Sequence, residues 1–313
     1  MIKKAGRDGF GEGLVSLGKT RGDVVVLCAD LTGSVKASAF KKEFPERFVS
    51  MGIAESDMIG TAAGLALAGK IPFAATFSVF AMGRVWDQLR ISVCYNNLNV
   101  KICGLHGGFS ASTDGATHQG IEEVSLARAL PNMKVIVPCD AVQTRKATIA
   151  AAGIPGPVLI NLGKTPFPVI TEENSPFEFG KAEVMGGGKD VTIIACGAMV
   201  YESLMARDML GKKGISARVI NMHTIKPMDE KEIINSAADT GAIVTAEEHL
   251  LSGGLGSAVC EVVSRNCPVP VEMMGINDRF GESGNHEELL KRFHLKDADI
   301  VEAACRAIER KKT

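Results

Sequence analysis

The stretch Gly52-Ile53-Ala54-Glu55 leads into a helix of small residues over 61–68 and is followed directly by the apolar run Ile71-Pro72-Phe73-Ala74-Ala75. A similar run, Val24-Val25-Val26-Leu27-Cys28, stands upstream. Short β-branched runs separated by helical segments are the pattern of parallel strands joined by helical crossovers. The pattern continues outward through Val100-Lys101-Ile102-Cys103, Lys134-Val135-Ile136-Val137 and Val158-Leu159-Ile160, which complete a first set. A second set follows: Val191-Thr192-Ile193-Ile194-Ala195, Ala217-Arg218-Val219-Ile220, Ala242-Ile243-Val244-Thr245 and Val269-Pro270-Val271-Glu272. Between the sets, residues 164–189 hold three prolines, an acidic patch and Gly186-Gly187-Gly188, without a run of either period. Such a segment reads as a linker. The expectation is an α/β chain of two domains, 4–165 and 188–313, each a mostly parallel sheet flanked by helices, with 166–187 between them. No repeat of 20 to 50 residues is visible, which removes solenoids and propellers.

Composition narrows the function classes. With 46% hydrophobic and 23% charged residues, the chain resembles a folded globular protein and not a disordered one. Thirty-five Lys+Arg balance 36 Asp+Glu, leaving no basic footprint for nucleic acid or an anionic membrane. The uncharged stretches 58–69 and 71–83 fall short of the ~18 residues that a membrane span needs. Lys3, Lys4 and Arg7 lead into no apolar segment of the kind a secretory signal carries. Cytoplasmic location is the resulting expectation. Eight cysteines include no C-x-x-C pair and lie mostly in apolar runs, which suits reduced core thiols.

Three places can carry chemistry. Glu55 stands at a helix entrance, where the macrodipole favours a carboxylate by a fraction of a kcal/mol; the small residues after it would equally let another backbone approach and bury it at a subunit interface. Phe73, Phe77 and Phe80 surround the end of a strand, ahead of Arg84, Trp86, Asp87 and Arg90 on a helix. They read either as core or as a ring-stacking pocket at a strand's carboxyl end. The connection over 104–120 carries His106, Asp114, His118 and many glycines and hydroxyls, and is longer than the roughly 2–6 residues usual between a strand and a helix. Its donors and acceptors suit a polyhydroxylated substrate. Two histidines 12 apart make a poor metal site. The turn Ser252-Gly253-Gly254-Leu255-Gly256-Ser257 could cradle a phosphate or simply pack a helix. No G-x-S-x-G occurs, so serine-hydrolase chemistry has no support.

Taken together, Ala29-Asp30-Leu31-Thr32, Gly52-Ile53-Ala54-Glu55, Thr76-Phe77-Ser78-Val79-Phe80 and Asp114-Gly115-Ala116-Thr117-His118-Gln119 resemble, in that order and spacing, transketolase. The resemblance spans nearly the whole chain and matches the second half of the usual enzyme, its pyrimidine-binding and C-terminal domains. It implies the C-terminal subunit of a split transketolase, which moves a two-carbon glycolaldehyde unit from a ketose phosphate to an aldose phosphate with thiamine diphosphate. The family's Gly-Asp-Gly and Asn, which hold Mg²⁺ and the diphosphate, are not matched here. Those ligands are therefore expected on a separate N-terminal subunit, in a dimer of heterodimers.

Carried over by position, Glu55 resembles the catalytic carboxyl that binds the aminopyrimidine ring nitrogen and promotes proton removal from the thiazolium carbon. Phe77 and Phe80 match the aromatics stacked on that ring, whereas Gly83 stands where the family has another aromatic. His106 and His118 match histidines at the reacting carbonyl, Asp114 the contact to ketose hydroxyls, and Ser34 a phosphate or sugar contact. Asp30 is expected to support the cofactor environment. Lys164 replaces a phosphate-clamping arginine, offering a point charge in place of a bidentate fork, and Arg7 resembles a second phosphate contact. Three other readings stay open: 1-deoxyxylulose 5-phosphate synthase, the beta subunit of a 2-oxo-acid dehydrogenase, and a scaffold or regulatory chain without catalysis.

Overall fold

All residues of Val24–Cys28, Lys101–Leu105, Val158–Leu162 and Val191–Ala195 are buried, as strands of a parallel sheet must be when helices cover both faces. The computed structural model describes residues 1–311. The first part of the chain runs β1 (Lys3–Lys4), α1 (Gly6–Thr20), β2 (Val24–Cys28), α2 (Ser38–Glu43), β3 (Phe48–Ser50), α3 (Glu55–Leu67), β4 (Ile71–Phe77), α4 (Trp86–Gln88), β5 (Lys101–Leu105), α5 (Glu123–Ala129), β6 (Lys134–Ile136), α6 (Ala141–Ala151), β7 (Val158–Leu162) and β8 (Phe167–Pro168). The second runs β9 (Glu183–Gly186), β10 (Val191–Ala195), α7 (Met199–Lys212), β11 (Ala217–Asn221), β12 (Thr224–Lys226), α8 (Glu230–Thr240), β13 (Ile243–Leu250), α9 (Leu255–Asn266), β14 (Val271–Ile276), α10 (His286–Arg292) and α11 (Asp297–Lys311).

Beside a two-stranded antiparallel pair of β1 and β8, two large sheets form, ordered β12-β6-β7-β5-β4-β2-β3 and β14-β13-β10-β11-β9. Each is parallel except for one antiparallel edge strand, β12 in the first and β9 in the second. Both edge strands depart from the sequence-based expectation. Residues 183–186 fall within the stretch read as linker, yet they pair with β11. β12 follows the second sheet's β11 in the chain but hydrogen-bonds to β6 of the first. Lys226 fastens it there, its Nζ donating to the Arg128 and Leu130 carbonyls at 2.9 and 2.6 Å. Val135, Leu159 and Ile225 of the first sheet accordingly share one apolar core with Ile194 and Ile220 of the second.

Helix α3 starts at Glu55, six residues before the expected 61, because Met58, Ile59, Ala62 and Ala63 already form its buried stripe. No helix among the described residues is long and apolar enough to cross a membrane. All eight cysteines are free, and five of them are buried.

Candidate active site at the carboxyl edge of the first sheet

Strand register decides which side chains meet. Cys28 pairs with Ser50 on one side and Ala75 on the other, Phe77 with Leu105, and Leu105 with Leu162. The carboxyl ends of β2, β3, β4, β5 and β7 are thus level. Glu55 follows β3, Phe77 ends β4, His106 follows β5 and Lys164 follows β7. These residues share the edge where the strand order reverses between β2 and β4, which is where open α/β sheets bind ligands.

Glu55 is 2% exposed. Its Oε2 accepts a 2.7 Å hydrogen bond from Arg84 Nη1, and its Oε1 a long 3.5 Å one from Thr76 Oγ1. Phe73 is fully buried in the core, whereas Phe77 and Phe80 are partly open, so the three aromatics divide between the two readings. The Phe77 and Phe80 rings lie 6.2 Å apart at 28°. His106 stands 4.0 Å from Phe77, and His118 meets Phe77 and Phe80 edge-on at 6.1 and 5.5 Å. His118 Nδ1 and Thr117 Oγ1 are 2.9 Å apart.

His106 adopts φ +68°, a left-handed conformation that costs a non-glycine residue and tends to mark functional positions. Its Nδ1 is buried without a partner. Burial, helped by the Lys164 and Arg7 charges, pushes its pKa down to about 3. At neutral pH it is an uncharged imidazole with a free hydrogen-bonding nitrogen.

The polar side of the cluster is built from ion pairs. Lys164 Nζ donates to Asp114 Oδ2 at 2.8 Å, and that hydrogen bond holds the aspartate below the usual carboxylate range. Ser110 Oγ accepts from Lys164 N at 3.0 Å and donates to the Gly107 carbonyl at 2.6 Å, fixing the strand end against the loop. Arg7 Nη1 donates to the Ser34 carbonyl at 3.1 Å, while Arg7 Nε is buried without a partner. Asp30 stands apart. It is exposed at φ 55°, and its side chain makes no hydrogen bond or ion pair among the described residues.

Four features around the site depend on contacts that the sequence does not reveal. Arg84 reaches Glu55 through the π-turn Phe80–Arg84, a spacing that helical periodicity does not anticipate. Gln119, beside His118, donates through Nε2 to the Glu282 carbonyl at 2.8 Å and the Ser112 carbonyl at 3.2 Å; it ties the loop to the second part of the chain. Glu123 is buried with both carboxylate oxygens unpartnered, and burial pushes its pKa up to about 8. The glycine-rich turn before α9 is filled from inside, for Glu247 accepts from Leu255 N and Gly256 N at 2.7 and 2.8 Å. A phosphate at that turn would compete with a carboxylate already in place. Among the described residues, no group of three or more His, Cys, Asp or Glu could hold a metal ion.

A buried carboxyl joined through Arg84 to the Phe80 ring, with Phe77 stacked beside it, suits a flat heterocycle with a ring nitrogen, and the neutral His106 with the Asp114–Lys164 pair suits a hydroxylated, anionic substrate. Residues 3–168 match the family described as transketolase, pyrimidine binding domain, and residues 180–300 match transketolase, C-terminal domain. A Methanocaldococcus jannaschii chain named for the C-terminal section of transketolase is 46% identical over 96% of this chain and 95% of its own length. A 6-deoxy-6-sulfo-D-fructose transketolase subunit of Clostridium sp. strain MSTE9 is 44% identical over 97% and 95%. Human transketolase is 36% identical over 98% of this chain but 49% of its own length. A solved structure described as a split gene transketolase, inactive beta4 tetramer, is 50% identical with a TM-score of 0.93, covering 98% of this chain and 99% of that one.

Proposed function

This chain belongs to the transketolase family, and on that premise we propose that it is the C-terminal subunit of a split transketolase, transferring a glycolaldehyde unit from a ketose phosphate to an aldose phosphate. The observation that carries the reading is the convergence of Glu55, Phe77, Phe80, His106 and His118 at one carboxyl edge. Its agreement over 95% of the length of relatives named as a C-terminal section and a subunit supports a partner-dependent chain. The separate N-terminal subunit would hold Mg²⁺ and the diphosphate. The solved relative described as an inactive beta4 tetramer supports self-association without that partner, and a dimer of heterodimers with it. The eight free cysteines suit the reducing cytoplasm.

Thiamine diphosphate, when bound, supplies the activated carbon that carries the two-carbon unit. Glu55, 2% exposed, would hold a proton toward the aminopyrimidine nitrogen at a position screened from water. Phe77 and Phe80 wall the heterocycle. His106, neutral at working pH, offers Nδ1 to a substrate hydroxyl, and His118 is held at the same place by ring contacts and Thr117. Asp114 accepts from ketose hydroxyls, while Lys164, Arg7 and Ser34 receive the anionic end of the sugar. Asp30, exposed beyond β2, would contribute at the mouth of the pocket. Equilibrium binding of thiamine diphosphate and Mg²⁺ to the reconstituted pair, with transfer assayed alongside, tests the reading; absence of binding in the pair would overturn it.

A second reading concerns the donor. Relatives are named for 6-deoxy-6-sulfo-D-fructose and apulose 4-phosphate, and a lysine point charge at 164 suits a sulfonate as well as a phosphate. Comparing kcat/KM for a phosphorylated and a sulfonated ketose of equal carbon number decides between them.

A further inference from the structure

One side chain bridges two residues of the proposed cofactor site. Arg84 donates to Glu55 Oε2 at 2.7 Å, and its guanidinium carbon lies 4.1 Å from the centroid of the Phe80 ring. One guanidinium therefore meets both groups that the proposed function gives to the aminopyrimidine: the carboxyl that binds its ring nitrogen and an aromatic face that stacks on it. A second flat group cannot lie on that face of Phe80 while the arginine does. The occupation has a physical cause. Glu55 is 2% exposed, and a buried carboxylate without a counter-charge is costly. Arg84 supplies that charge and remains 45% exposed, so it reaches water by swinging outward. It lies at the end of a π-turn, a local widening of the helix that recurs at functional positions.

We propose that Arg84 is a stand-in for the aminopyrimidine, holding Glu55 and Phe80 in their working positions in the cofactor-free chain and leaving when the cofactor enters. The proposal rests on the thiamine diphosphate reading above. Because a ligand's apparent affinity is reduced by whatever the empty site must first give up, Arg84 weakens cofactor binding while it stabilises the unloaded protein.

The test is calorimetric titration of thiamine diphosphate, with Mg²⁺ present, into the chain reconstituted with its N-terminal subunit. Wild type is compared with Arg84→Ala and Arg84→Lys, and melting curves are recorded with and without cofactor. Arg84→Ala is expected to bind about tenfold tighter, the equivalent of one such charged contact, and to melt lower than wild type only when cofactor is absent. Arg84→Lys, which keeps the charge but not the planar stack, is expected to fall between them. Equal or weaker binding by Arg84→Ala, with wild type binding normally, would overturn the proposal alone and make Arg84 a resident of the loaded site. A wild-type pair that takes up no thiamine diphosphate would overturn both the proposal and the functional reading on which it rests.

Discussion

Replacing Gly281 by alanine places a methyl carbon 1.7 Å from Gln119 Oε1 and 3.2 Å from Phe109 Cε1. Gln119 is 1% exposed, so its amide has no open space to retreat into. To admit the methyl group it must turn away from the Glu282 and Ser112 carbonyls, to which it donates at 2.8 and 3.2 Å. Two buried acceptors then lose their donor, at about 1–3 kcal/mol each when left unsatisfied, so Gly281→Ala should cost about 2–6 kcal/mol. Gln119 directly follows His118, and the loop touches the same turn again where Ser283 Oγ lies 2.5 Å from where a Cβ on Gly115 would be. The loss should therefore also loosen the proposed substrate histidine. Urea denaturation of the chain measures the first effect; donor KM in the reconstituted pair measures the second, which is expected to rise with thiamine diphosphate affinity unchanged. A stability change within ~0.5 kcal/mol, the range of a neutral surface substitution, together with an unchanged KM, would refute the claim that the C-terminal part of the chain holds the substrate loop in place.

Glu55→Gln should leave assembly intact and lower transfer by roughly a hundredfold to ten-thousandfold, the usual worth of a positioned acid–base group; unchanged turnover would remove Glu55 from its role. His118→Ala should raise donor KM or lower kcat roughly tenfold or more while cofactor binding stays as it was, and identical kinetics would argue against a substrate histidine. Glu123 gives a pH test. Its folded pKa is raised from 4.5 to about 8, so its neutral form stabilises the fold fully below pH 4.5, and that contribution is lost as pH rises toward 8. Glutamine mimics the neutral form at every pH, so the stability of Glu123→Gln relative to wild type should grow across that window by up to about 1.4 kcal/mol per pH unit. A gap independent of pH in denaturant titrations would mean that the carboxyl is paired or hydrated.

Much of the first sheet is legible in the residues because fully buried parallel strands must be apolar on both faces, as Val24–Cys28 and Val158–Leu162 are. The edge strands are not legible. Glu183–Gly186 needs only one apolar side and sits beside Gly187 and Gly188, and nothing local tells β12 that its partner lies in the other sheet. At the site, Glu55, Phe77, His106 and Lys164 were readable because strand ends carry ligands and because the motifs resemble a known family. Arg84 and Gln119 were visible as residues, but their partners depend on a π-turn and on a turn over 160 residues away in the chain. The same limit explains the turn before α9: glycine spacing marks a helix entrance, but only the fold reveals that Glu247 fills it.

The most direct measurement is thiamine diphosphate- and Mg²⁺-dependent formation of sedoheptulose 7-phosphate from xylulose 5-phosphate and ribose 5-phosphate, with this chain alone and with its co-purified N-terminal partner. A split transketolase predicts product in the mixture and none from the isolated chain. Full activity of the isolated chain would contradict the need for a partner, and no transfer in either sample, with sulfonated donors also tried, would contradict the assignment of a glycolaldehyde transferase.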